Sequence, residues 1–226
     1  KKLALTDFAK YRYPSARELS PDSRYLTLAL KDVDREGDGY RWNLWLYDLE
    51  RRESRQITQG DDQRKAVWED NTHILYKTTE PDEALRARGF EEEWTVYHRL
   101  NVCTGEDREA FRLPMSVSGL WKMDEGRYVF TGETHLDRPN LLERTAEALE
   151  KELVRRQQTR GYKVLTELPL CENGVGMFNQ TRNTLFLYLE ATGEYHRITP
   201  EDYDVNHVNV RPGQVLFTAF PFRDVK

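Results

Sequence analysis

Along this chain, short runs of alternating apolar and polar residues recur between turns rich in Asp, Asn, Gly and Pro, a pattern that predicts antiparallel strands. One unit is a turn followed by a strand. It runs from Ser20 to Leu30 and returns at Glu69 to Thr78, Met123 to Gly132 and Val210 to Ala219. Each strand is rich in β-branched and aromatic residues, which suit a pleated surface. A second unit follows each of the first three copies and reads as a hairpin. Trp42 to Leu49 leads through a polar turn to Ser54–Thr58. Trp94 to Asn101 leads through Thr104-Gly105-Glu106 to Glu109–Leu113, and Thr184 to Glu190 through Thr192-Gly193-Glu194 to Tyr195–Thr199. Apolar residues alternate in the first and third hairpins, as half-buried strands require.

Each full unit therefore carries about four strands, which is one blade of a β-propeller. The anchors Tyr25, Ile74 and Tyr128 lie 49 and 54 residues apart, and Val215 follows 87 residues later. The long interval holds an insertion whose period changes from 2 to 3.6. Leu142, Ala146, Leu149 and Leu153 form an apolar stripe, Glu147 and Lys151 an i,i+4 pair, and Gly161 a stop. Asn140 is expected to cap this helix, with Glu143 completing a capping box. A shorter helical turn is expected from Pro81 to Gly89.

The predicted fold is all-β: a partial propeller of about three and a half four-stranded blades with one amphipathic helix inserted in the third. Blade 1 covers about 14–58, blade 2 about 62–113, blade 3 about 117–199 with the insertion at 140–160, and blade 4 begins at about 203–226. No Ser/Gly-rich linker divides the chain. Closed propellers use about 4–8 blades. The natural protein is therefore expected to continue beyond Lys226.

Twelve tyrosines and five tryptophans argue against disorder. The net charge of −5 is spread over mixed acidic and basic residues, and no basic stripe points to nucleic acid. No apolar run approaches the ~18–20 residues of a membrane helix, and Lys1–Phe8 has no apolar core of a secretory signal. Cys103 and Cys171 follow no redox or metal spacing and read as reduced thiols of a cytoplasmic protein. The histidines at 73, 98, 135, 196 and 207 lack metal-ligand spacing, and no phosphate-binding glycine loop occurs. The tryptophans sit in or beside strands and read as core between blades. The chain is expected to carry no cofactor, no metal and no catalytic residue.

Several stretches resemble the N-terminal propeller of prolyl oligopeptidase-family serine peptidases, especially bacterial acylaminoacyl peptidases and dipeptidyl aminopeptidases. They are Tyr11-Arg-Tyr-Pro-Ser15 with Ser20-Pro21-Asp22, Asn43 to Leu49 with Arg55 to Thr58, and Phe111 to Pro114 with Val117-Ser-Gly119. Leu136-Asp-Arg-Pro-Asn140, the helix after it, Leu165 to Pro169 and Asn173-Gly174 extend the resemblance over nearly the whole chain. It implies a seven-bladed propeller capping an α/β-hydrolase domain that follows in sequence. That domain would carry Ser, Asp and His, the serine within Gly-x-Ser-x-Gly. None of the six serines here, at 15, 20, 23, 54, 116 and 118, has that setting. The resemblance thus implies a filter and docking surface for short peptides, with the hydrolase domain of the parent chain as partner. The alternative is a stand-alone propeller acting as a binding or scaffold module.

Two segments are candidate substrate contacts. Glu91, Glu92 and Glu93 precede Trp94. The resemblance implies a parallel, since dipeptidyl peptidases hold a substrate ammonium with two propeller glutamates, but this run does not align with that motif. The bland reading is a charged strand edge that discourages pairing with other sheets. The second segment is turn-rich and holds Glu167, Asn173, Phe178 and Arg182. It could line a substrate path or merely return the chain from the helix to its blade.

Overall fold

A computed structural model describes residues 4, 6–34, 39–60, 62–161, 166, 171–172, 176–177 and 180–222. Three four-stranded sheets account for most of them. The first holds β1 (Tyr13–Leu19), β2 (Tyr25–Asp34), β3 (Gly39–Asp48) and β4 (Glu53–Gln56), ordered as in the sequence. The second holds β5 (Ala66–Trp68), β6 (His73–Pro81), β7 (Glu93–Asn101) and β8 (Asp107–Leu113), again in sequence order. A five-residue helix, α1 (Glu83–Ala87), interrupts it between β6 and β7.

The third sheet starts with β9 (Val117–Asp124) and β10 (Arg127–His135). The chain then leaves it for helix α2 (Ala146–Gln158) and a small ladder of β11 (Cys171–Glu172) and β12 (Gly176–Met177). It returns as β13 (Thr181–Leu189) and β14 (Glu194–Arg197), so the sheet order is β14-β13-β10-β9. A final antiparallel pair, β15 (Tyr203–Arg211) and β16 (Gln214–Pro221), completes the described chain. Every strand pair with an assigned register is antiparallel. The structure is therefore mainly strand, with one long helix inserted in the third sheet, as the periodicity predicts.

The chain groups into two compact units, Lys1–Glu80 with Thr95–Arg112, and Pro81–Trp94 with Leu113–Lys226. In the first, alternate residues of the strands meet in one cluster that includes Ala29, Leu44, Leu46, Trp68, Ile74 and Val102. Burial of such side chains is worth roughly 1.5–3 kcal/mol each. The indole nitrogen of Trp68 donates to the Glu18 carbonyl at 3.1 Å, so the ring is buried without stranding its N–H. Arg99 and Glu69, both largely buried, form a two-point ion pair.

In the second unit, the alternation read for the third hairpin gives way to burial on both faces. Leu185 packs with Val129 and Val205, while its neighbour Phe186 stacks on Phe130 at 5.0 Å on the opposite face. A strand sandwiched in this way needs apolar residues at consecutive positions.

Helix α2 begins five residues later than the capping signal suggested. Asn140 turns its amide to the Pro114 carbonyl at 2.6 Å, and its oxygen accepts from the Leu142 N–H at 3.0 Å. That amide is thus spent on a loop turn. Thr145 caps the helix instead, accepting from the Ala148 N–H at 3.4 Å. The helix ends at Gln158, ahead of Gly161. Leu153 is fully buried, in a small core with Leu85 of α1 and Leu141, against which Phe90, Leu142 and Leu149 pack.

Candidate functional site

Helix α1 is anchored by its own cap. Asp82 accepts from the Leu85 N–H at 2.9 Å and from the Trp94 indole at 3.3 Å, and its own N–H donates to the Glu92 carbonyl at 2.9 Å. The excursion is thereby closed at its base, which fixes the backbone around Glu91–Glu93. Helix α2 supplies the rest of the support. Arg88 meets Glu150 with two hydrogen bonds of 2.6 and 2.9 Å. Arg156 spans three elements: its guanidinium donates to Glu92 at 2.6 Å, to Glu152 at 3.0 Å and to the Pro139 carbonyl at 2.7 Å. Among the described residues Glu152 is the one buried Asp or Glu. Its carboxyl is held below the ordinary value by Arg155 first, against burial, with Arg156 adding to the effect.

Beside this support lies a cleft of about 430 Å³. Its apolar part is the aromatic face of the third sheet. Phe186 and Tyr195 meet edge to face at 5.6 Å, and the Arg197 guanidinium lies 5.9 Å from the Phe186 ring centre. Met115 closes in over Gly132, where a Cβ would stand 2.4 Å from its sulfur. The small residue is what lets Met115 lie against the strand.

The polar wall is built from the end of β10 and the loop that follows. Glu133 lies 3.1 Å from the Nε2 of His135. The Nδ1 of the same ring faces the Thr181 hydroxyl at 3.0 Å and an Arg138 N–H at 3.1 Å. The same Arg138 nitrogen lies 3.3 Å from Nε2, so the guanidinium sits beside both ring nitrogens. The bond from His135 holds the Glu133 carboxyl low, against burial and with help from Arg138. Glu143 is shifted the other way: burial pushes it up, and Asn140, Arg144 and Arg197 only partly offset this.

Glu91, Glu92 and Glu93 all line the cleft, so the structure brings these three candidates together. Glu91 and Glu93 are exposed, and Glu92 is half-buried against Arg156. Arg182 is 2% exposed on β13, with its guanidinium 3.9 Å from the Phe222 ring centre, and it does not line the cleft. Glu167, Asn173 and Phe178 lie outside the described residues. The cleft also gathers Met115, Glu133, His135, Arg138, Glu143 and Arg156, none of which the sequence marks as a substrate contact. Arg156 continues the spacing of the apolar stripe three residues after Leu153, and nothing in the sequence marks its partner 64 residues away. Among the described residues there is no group of His, Cys, Asp and Glu that could hold a metal, and no helix long and apolar enough to cross a membrane. Cys103 is a free, exposed thiol.

No family model and no curated protein matches this sequence. Among solved structures, the chain is similar to an acylaminoacyl peptidase of Pyrococcus horikoshii in an orthorhombic crystal form. The TM-score is 0.61 at 14% identity, covering 96% of this chain and 29% of that one. The uncomplexed form of a Pyrococcus horikoshii acylaminoacyl peptidase gives 0.53 at 12% identity, covering 88% and 28%. The tricorn protease gives 0.53 at 9% identity, covering 92% and 21%. The chain thus spans less than a third of the length of these peptidases, and at such identities the likeness is one of fold. Antiparallel four-stranded sheets repeating along the sequence, and matched over nearly the whole chain, establish that fold as part of a β-propeller.

Proposed function

We propose that this chain is the non-catalytic, substrate-gating propeller portion of a serine peptidase that hydrolyses short peptides, of the acylaminoacyl- or dipeptidyl-peptidase type. The observation that supports the reading is the fold likeness covering 96% of this chain but only 29% of an acylaminoacyl peptidase. In this reading an α/β-hydrolase domain of the same parent protein supplies the nucleophile, because no serine here stands in Gly-x-Ser-x-Gly. The propeller restricts entry to peptides small or unfolded enough to pass, and Glu91–Glu93 contact them at the cleft. In the same reading the segment holding Glu167, Asn173, Phe178 and Arg182 contributes further substrate contacts. A cytoplasmic setting with reduced thiols belongs to the same reading.

The test uses the full-length parent protein. Its rates on an N-acetylated alanyl anilide and on one protein, folded and reduced-unfolded, are compared. Rapid anilide cleavage with a strong preference for the unfolded form is expected. Equal rates on folded and unfolded protein would overturn the gating role. A parent with no hydrolytic activity would leave a propeller that serves only as a binding module.

A further inference from the structure

We infer that the cleft beside α2 recognises the guanidinium side chain of an arginine in a peptide. The inference rests on the proposed function only in taking the ligand to be a peptide. The cavity, about 430 Å³, falls within the roughly 300–1,000 Å³ of small-molecule sites. It is amphipathic: an aromatic and thioether surface of Phe186, Tyr195 and Met115 faces a charged rim.

The rim is not balanced within itself. Its three guanidiniums are already engaged by the protein. Arg156 is held by Glu92 and Glu152, Arg197 lies 3.4 Å from Glu201, and Arg138 contacts His135 at 3.1 Å. Glu133 is engaged by His135. Glu91 and Glu93 have no cationic partner among the described residues. Glu143, on the loop before α2, is exposed and also lines the cleft. A ligand that fits must therefore bring positive charge together with an apolar stem.

Guanidinium satisfies this better than ammonium. The available carboxylates come from separate segments, Glu91 and Glu93 at the start of β7 and Glu143 before α2. A planar fork with five N–H donors can reach acceptors in different directions, whereas an ammonium offers three donors around one point. Guanidinium also stacks on aromatic faces. Within the cleft the Arg197 guanidinium already lies 5.9 Å from the Phe186 ring centre.

The test is calorimetric titration of this chain at low salt with acetyl-Gly-Arg-Gly-amide and its citrulline analogue, which is neutral and nearly isosteric. A third peptide, Gly-Gly-Gly-amide with a free amine, separates side-chain from terminal recognition. We expect the arginine peptide to bind at least tenfold more tightly than the other two. Glu91→Gln with Glu93→Gln should weaken it at least fivefold. Both residues are exposed, so folding should be unaffected, and circular dichroism checks this. Equal binding of the arginine and citrulline peptides, an unaffected double variant, or preference for the free amine would each overturn the inference. A parent enzyme that hydrolyses acyl peptides while this chain shows no arginine preference would sink the recognition and leave the gating role standing. Arginine binding without hydrolysis by the parent would do the reverse.

Discussion

Replacing Arg52 with glycine should stabilise the protein, because Arg52 occupies a backbone position that glycine holds in two sister turns. In each turn a residue with positive φ donates its N–H to the carbonyl four residues earlier. Arg52 (φ 59°) donates to Asp48 at 2.8 Å, Gly105 (φ 79°) to Asn101 at 2.8 Å, and Gly193 (φ 71°) to Leu189 at 2.9 Å. A left-handed conformation costs a non-glycine L-residue about 1–2 kcal/mol. Glycine removes that strain but loses more backbone freedom on folding, which returns roughly 0.5–1 kcal/mol. The Arg52 side chain is exposed, so little contact is lost. The net gain is about 0.5–1 kcal/mol. At this chain length 1 kcal/mol moves the melting temperature by about 2–4 °C. The reverse changes, Gly105→Ala and Gly193→Ala, should each lose about 1 kcal/mol. Nothing lies within 4 Å of a Cβ at either position, so their effect comes from the backbone alone. Calorimetric melting of the three variants is the assay. A lower melting temperature for Arg52→Gly, or unchanged melting of both alanine variants, would refute the reasoning.

Three further outcomes follow from the packing and the charges. Leu153→Ala, which opens a cavity in the fully buried contact with Leu85 and Leu141, should cost about 2–5 kcal/mol and speed hydrogen exchange in Glu83–Ala87 more than in β10. Arg156→Met leaves Glu92 and Glu152 without their shared cation and should cost about 3 kcal/mol in urea unfolding. That is the low end for a broken pair, since Arg155 still holds Glu152, and adding Glu92→Gln should recover part of the loss. For Asp70, burial works to raise the carboxyl, but the Thr72 and His73 N–H groups and side chains outweigh it and lower it from 3.8 to about 2. A depressed carboxyl contributes stability that is present above the unfolded value and lost as pH falls through the folded one. Stability should therefore drop between about pH 4 and pH 2, and Asp70→Asn, followed by acid titration of the unfolding midpoint, should flatten that drop.

Strand pairing was legible because its determinants are local. The hairpin at Trp94–Leu113 was readable from Thr104-Gly105-Glu106 and appears as β7 and β8. The start of α2 was misread because Asn140 and Thr145 are both good caps. Only the tertiary contact with the Pro114 carbonyl decides that Asn140 serves the loop. The double-sided burial of β13 was equally hidden, since Leu185 and Phe186 are apolar under either pattern and what covers them comes from elsewhere in the chain. Glu91–Glu93 stood out as a run of like charge. Their meaning changed with Arg156, which turns the middle carboxylate into a support and leaves the outer two facing the cleft.

That division of labour explains why the Pro81–Trp94 segment, although it joins two strands of the second sheet, groups with Leu113–Lys226. Its attachments run to the helical insertion: Leu85 to Leu153, Arg88 to Glu150, and Glu92 to Arg156. The glutamates are therefore placed by α2 as much as by the strand they lead into. Altering the α2 partners should move the rim of the cleft while the β7 ladder stays paired, whereas altering β7 residues such as the buried Val96 should disturb the sheet first. An insertion that holds another segment's side chains in place must itself be rigid. Its buried Leu153 and the three-way contacts of Arg156 supply that rigidity in a region where strand pairing cannot.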